Sequence, residues 1–121
     1  MGADIHPILE IRPRGSKEKF IQICGLADMR NYTLFGYLSG VRGDFEEQIF
    51  RIQDTLPEDT SVSAEVLDWG HSLTVMPFDK LSGALDKFKI LKDTDAMGWV
   101  KVMRVFEKLG METRVIAWYD S

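Results

Sequence analysis

The chain has 121 residues, 45% of them hydrophobic, with a formal net charge of -4. That length argues for a single domain, and that composition builds one core without disulfide or metal staples. The acidic balance argues against binding a nucleic-acid polymer, which needs a basic surface, although a local basic patch can still hold a small anion.

In chain order, "DIHPILEIR" alternates, "PRGS" supplies turn residues, and "KFIQICGL" is extended again, so residues 4 to 25 read as a β-hairpin. Pro7 has no N–H to donate, which places it on an edge or beside a bulge after His6. Cys24, in the second strand, is the only cysteine; no internal disulfide can form, and a buried, inert thiol in a reducing cytosol is expected. Tyr32, Phe35 and Leu38 then keep the spacing of one helix face, with Asp28 or Asn31 as cap and Gly40 as stop. "GDFEEQIFRIQDTLP" opens with Asp44 and Glu47 in a capping-box arrangement, buries Phe45, Ile49 and Ile52, and closes at Pro57.

"SVSAEVLDW" reads as a short helix capped by Ser61, with a strand as the alternative, and "GHSLTV" enters a short extended run. Phe78, Leu81, Leu85 and Phe88 follow at helical spacing, with Pro77 suited to the first turn. The strongest helix is residues 94 to 109, where Trp99, Val102, Met103, Phe106 and Leu109 share a face and Gly110 stops the run. "TRVIAWYD" is a closing strand. The sum is one α+β domain: a small antiparallel sheet, made of the N-terminal hairpin and the C-terminal strand, with helices packed on it. No apolar run approaches the ~18 residues of a membrane span, and no basic-then-apolar leader opens the chain, so a cytoplasmic protein without membrane partners is expected.

Candidate chemistry gathers around the only two histidines. Asp4 and His6 are two apart on a strand, so both side chains point to one face while Ile5, Leu9 and Ile11 take the other. A carboxylate beside an imidazole fixes its tautomer and raises its basicity, although a plain polar strand edge has the same spacing. His71 and Ser72 follow Gly70 at the start of an extended run, where side chains can face a cleft; an ordinary polar turn is equally consistent. Two histidines can run phosphodiester chemistry as acid and base. Alternatively, Asp4, His6 and His71 make a two-histidine, one-carboxylate metal site. Arg42, between Gly40 and Gly43, and Arg30, before Asn31 and Tyr32, suit capture of a phosphate or carboxylate. Surface salt bridges to Glu46 or Glu47 are the plainer use. Trp69, Trp99 and Trp118 could stack a base, with Trp99 better suited to the core.

The opening "MGADIH", the block "RNYTLFGYLSGVRG", the later "WGHS" and the ending "RVIAWYD" together resemble a family of small phage and prophage proteins. The similarity is collinear over nearly the whole chain, and by position it marks Asp4, His6, Arg30, Asn31, Tyr32, Arg42, Trp69, His71, Ser72 and Asp120. Two departures stand out: Gly70 runs directly into His71, and Leu73-Thr74 stands where the family tends to place a tryptophan. The shortened loop lacks an acidic ligand, which weakens the metal alternative.

The resemblance implies a counter-defence protein that binds, and in one version cleaves, a nucleotide-derived immune signal of the host. His6 and His71 would be acid and base with Asp4 orienting His6; Arg30, Asn31, Tyr32, Arg42, Trp69, Ser72 and Trp118 would bind ligand. No cofactor or resident metal is called for. A pocket in so small a domain suggests a homo-oligomer. The alternative is a protein-protein inhibitor of a host enzyme with no small-molecule ligand.

Overall fold

The computed structural model describes residues 4–26, 37–40, 49–63, 65, 70–87 and 95–120. Four strands form one antiparallel sheet: β1 (Asp4–Pro13), β2 (Ile21–Gly25), β3 (His71–Pro77) and β4 (Met111–Asp120), in the spatial order β2-β1-β4-β3. Helices α1 (Phe78–Lys87) and α2 (Asp95–Lys108) pack on one face. This is the expected α+β architecture, with hairpin and C-terminal strand in one sheet. The extended run after Gly70 joins it as a fourth strand.

Alternation along β1 decides what each face does. Ile5, Leu9 and Ile11 meet Val115, Ala117 and Tyr119 of β4 beneath Leu81, Leu85, Trp99 and Met103 of the two helices. The even positions point the other way, where Ile8, Ile116, Trp118, Leu73 and Val75 form a second cluster with Leu56 and Val62. Residues 113–119 of β4 are therefore buried without interruption, as a strand covered on both faces must be.

The second cover is a strap, residues 53–62, that crosses the sheet from edge to edge. At the β3 edge, Ile52 bridges Thr74 and the Gln53 N–H donates to the Leu73 carbonyl at 2.8 Å. At the β2 edge, the Phe20 N–H donates to the Asp59 carbonyl and the Gln22 N–H to Ser61 Oγ, each at 2.8 Å. Strand edges left open invite pairing with other chains, and the strap occupies part of both.

The far end of the strap rests on a buried ionic cluster. Glu10 is 0% exposed and sits opposite Arg114 in the β1–β4 ladder. Its Oε1 accepts from Arg114 Nε at 2.9 Å; its Oε2 accepts from Thr60 Oγ1 at 2.6 Å, from the Ser61 N–H at 3.0 Å and from Ser61 Oγ at 3.2 Å. Arg114 Nη2 lies 3.0 Å from Asp59 Oδ1, a charge contact not aligned for N–H donation. Arg12 donates to Glu112 at 3.0 Å and to Asp59 at 3.2 Å, which holds its guanidinium above the ordinary pKa. The two guanidiniums flank Phe20, with Cζ atoms 4.2 Å and 3.8 Å from the ring centroid.

Several expectations need correcting. Residues 49–57 are not helical: Ile49 and Phe50 donate their N–H groups to the Tyr37 and Leu38 carbonyls, and Ile52 is 37% exposed at the β3 edge. Ser61 caps no helix, because its N–H and hydroxyl serve Glu10. Pro7 lies in an interior strand, opposite Ala117 on β4, and its carbonyl accepts from the Leu26 N–H; the register shift falls later, between Leu9 and Glu10. Cys24 is exposed, since β2 lies outside the helix layer. On α2 the buried face turns toward Val100, leaving Val102 and Leu109 in solvent.

Gly40 (φ 72) and Gly110 (φ 86) end their helical segments in the left-handed region, as expected. A Cβ on Gly110 would meet nothing within 4 Å. Gly110→Ala should therefore cost only the backbone strain, about 1 kcal/mol, read as a shifted urea midpoint with an unchanged slope.

Candidate functional site

The site lies where β3 begins. Between His71 and Thr74 the pairing with β4 slips, and Ser72 adopts φ 56, a left-handed conformation that serine rarely takes. The buried side braces this distortion. Tyr119 Oη donates to Ser39 Oγ at 2.9 Å, the Ser39 and Thr74 hydroxyls are 3.0 Å apart, and Thr74 Oγ1 donates to the Ser72 carbonyl at 2.9 Å. On the open side His71 Nδ1 is 2.9 Å from Ser72 Oγ, and its ring stacks on Tyr119 with centroids 6.2 Å apart.

A cleft of about 260 Å³ opens beside the bulge, lined by Gln53, Asp54, His71, Ser72, Leu73 and Trp118 among others. That volume is at the lower end for ligand pockets, enough for one ring or one polar head group. Its walls combine an indole, an imidazole, a hydroxyl, an amide and a carboxylate.

His6 stands elsewhere. It lies opposite Trp118 in the ladder and stacks on that indole with centroids 6.2 Å apart, while Nε2 is 2.6 Å from Asp120 Oδ2. Asp4 faces Asp120 two rungs further out. Trp118 belongs to the strap face and Tyr119 to the helix face. The imidazoles thus rest on opposite faces of β4, on strands whose backbones are roughly 10 Å apart.

The structure therefore brings His71, Ser72 and Trp118 to one cleft and groups Asp4 with His6 and Asp120. It does not join the two histidines into one acid-base pair, nor Asp4, His6 and His71 into one ligand set. Among the described residues no group of three histidine, cysteine or acidic side chains is placed to hold a metal. Arg30, Asn31, Tyr32, Arg42 and Trp69 lie outside the described residues. Gln53 and Asp54 are hidden in the sequence because a helical spacing runs across them. A Gln-Asp pair at the end of that pattern was the available signal.

The Tyr119 phenol, buried and donating to Ser39, is held far above its usual pKa by desolvation. A raised value in the folded state means that stability is intact below the unfolded pKa of about 10 and is lost as pH rises beyond it. Tyr119→Phe should flatten that alkaline loss; a parent protein whose thermal midpoint stays level through pH 11 would contradict the assignment.

Compared with protein-family models, curated proteins and solved structures, the chain matches none. Among the described residues no helix is long and apolar enough to cross a membrane.

Proposed function

We propose that this protein binds a small nucleotide-derived ligand in the cleft at the start of β3, and that it does so as a phage-type counter-defence protein in the host cytosol. The observation that carries the reading is the strained Ser72 bulge, which aims His71 and Ser72 into a cleft walled by Trp118, Gln53 and Asp54. Strain of this kind is retained where surrounding structure over-determines it, and it concentrates at binding and catalytic sites. An aromatic wall beside amide, hydroxyl and carboxylate groups suits the face and edge of a nucleobase. Neutralising the phosphate is the part assigned to Arg30 and Arg42. The counter-defence step rests on the family resemblance, which is analogy rather than chemistry.

Sequestration is favoured over cleavage, because a phosphodiesterase built on His6 and His71 would need both imidazoles on one side of the sheet. The test is to incubate the protein with cyclic dinucleotides and with ADP-ribose, denature it by heat, and separate the supernatant by chromatography. Depletion followed by release of intact nucleotide is expected, and cleaved product would overturn sequestration. His71→Ala should weaken binding about tenfold, the worth of one good hydrogen bond.

A second reading has its own observation. Leu109 is 72% exposed, Val105 58% and Ile21 60%, which leaves apolar side chains in solvent on α2, just past its end, and on β2. Such residues suit a homo-oligomer contact or capture of a host enzyme. Light scattering that reports a monomer at tens of micromolar would remove the first. Should no nucleotide be bound or altered, the inhibitor reading takes the lead.

A further inference from the structure

The strap that walls the cleft is fastened at a distance from it. Gln53 and Asp54 line the cleft at the β3 edge. At the other end Phe20, Gln22 and Arg12 also hold the strap, and the buried acceptor among these anchors is the Glu10 carboxylate, whose Oε2 takes three hydrogen bonds from Thr60 and Ser61. Leu56 between the two ends, and Val62 just past the far one, rest on the sheet through apolar contact, which has no direction of its own. The turn closed by the Thr60 N–H on the Pro57 carbonyl at 3.2 Å fixes residues 57–60 together, which shortens the stretch through which a shift at Thr60 must pass to reach Asp54.

We propose that Glu10 is a positioning residue for the cleft: it latches strap 53–62, and release of the latch lets the strap lift from the sheet as one unit, carrying Gln53 and Asp54 away from His71 and Ser72. The inference rests on the reading of the cleft as the binding site, and it adds how that site opens. A ligand seated between the strap and the bulge would then favour the latched state, because a site with both walls in place binds it better. Glu10 touches no ligand in this scheme. It acts through Thr60 and Ser61, and Arg114 Nε orients its carboxylate by donating to Oε1.

The test is amide hydrogen exchange on the intact protein, which needs no ligand. In the parent protein the Gln53 and Phe20 amides, which bond at opposite edges of the sheet, should exchange together and faster than amides of the β1–β4 ladder. Thr60→Val removes the hydroxyl's bond to the latch and the bond it accepts from the Val62 N–H, while leaving the Glu10–Arg114 pair. It should accelerate Gln53 and Phe20 by the same factor, about tenfold or more, the loss expected for one to two hydrogen bonds. Glu10→Gln is the stronger form of the same change and should show the same pairing of rates. Acceleration of Phe20 with Gln53 unchanged would show two independent ends and overturn the proposal. So would Gln53 and Phe20 exchanging only as slowly as the β1–β4 ladder, because the strap would then open only with the whole sheet. If the paired rates appear while no nucleotide binds, the latch stands and the binding reading falls. If nucleotides bind and the rates are unpaired, the reverse holds.

Discussion

Replacing Glu10 by alanine is expected to cost about 3–5 kcal/mol of folding stability, the usual penalty for removing one partner of a buried ion pair. The carboxylate is fully buried, so nothing in solvent can replace it. Its loss strands the Arg114 guanidinium beside Phe20 and leaves the Thr60 hydroxyl and Ser61 N–H without their acceptor. Asp59 offsets part of this, since it already lies 3.0 Å from Arg114 Nη2. For a domain whose total stability is of the order of 5–15 kcal/mol, the melting temperature should fall by roughly 10–20 °C. The pair itself is not the source of the stability. Glu10→Met combined with Arg114→Met should recover most of the loss, because no charge is then left buried. A single variant that melts within a degree or two of the parent would show that the cluster is hydrated and weak.

Trp99→Ala should have an effect of similar size for an unrelated reason. The indole is 1% exposed and packs between α2 and the sheet, beside Leu81, Leu85 and Met103. Truncation removes its transfer free energy and leaves a cavity that two helices and a sheet cannot close, about 3–5 kcal/mol in all. Val105→Ala, six residues further along but 58% exposed, should stay within about 0.5 kcal/mol. Glu10 and Trp99 lie on opposite faces of the sheet and share no hydrogen-bond or ion-pair partner among the described residues. Their effects should therefore add within about 0.5 kcal/mol, as denaturant titration of the double variant would check.

What could be read from sequence follows the physics of each element. β1 alternates over most of its length, β4 carries the continuous apolar run of a strand covered on both faces, and α2 carries a long apolar periodicity, so the sheet and its main helix are legible in the sequence. The strap was not. "EEQIFRIQD" has helical spacing, yet Ile49 and Phe50 bond to residues 37 and 38 and Ile52 bridges Thr74, a tertiary choice that periodicity cannot register. His71 and Ser72 were recognised as a presented pair, but the bulge that turns His71 onto Tyr119 depends on bracing by Ser39, distant in the chain. The division of the two histidines between faces follows from strand order, and no spacing within either motif encodes it. Nothing in the local sequence around Glu10 or Arg114 marks either as a partner of the other. Only the register made them a pair.

The strand at the centre of the sheet on both sides, β4, is also the last of the four to leave the ribosome. It pairs Asp4 with Asp120 and Pro13 with Met111, so the ladder that holds β1 in place joins segments separated by nearly the whole described chain. Until residues 111–120 emerge, the N-terminal hairpin has no neighbour on its inner edge and the strap has no Arg114 to complete its anchor. Loop closure over such separations comes before any reward from contact, which places folding in the slow, milliseconds-to-seconds regime of non-local sheets. Nascent copies are thus committed to a waiting period with β1 unpaired on one side, and this is the interval in which chaperones and neighbouring chains compete for it.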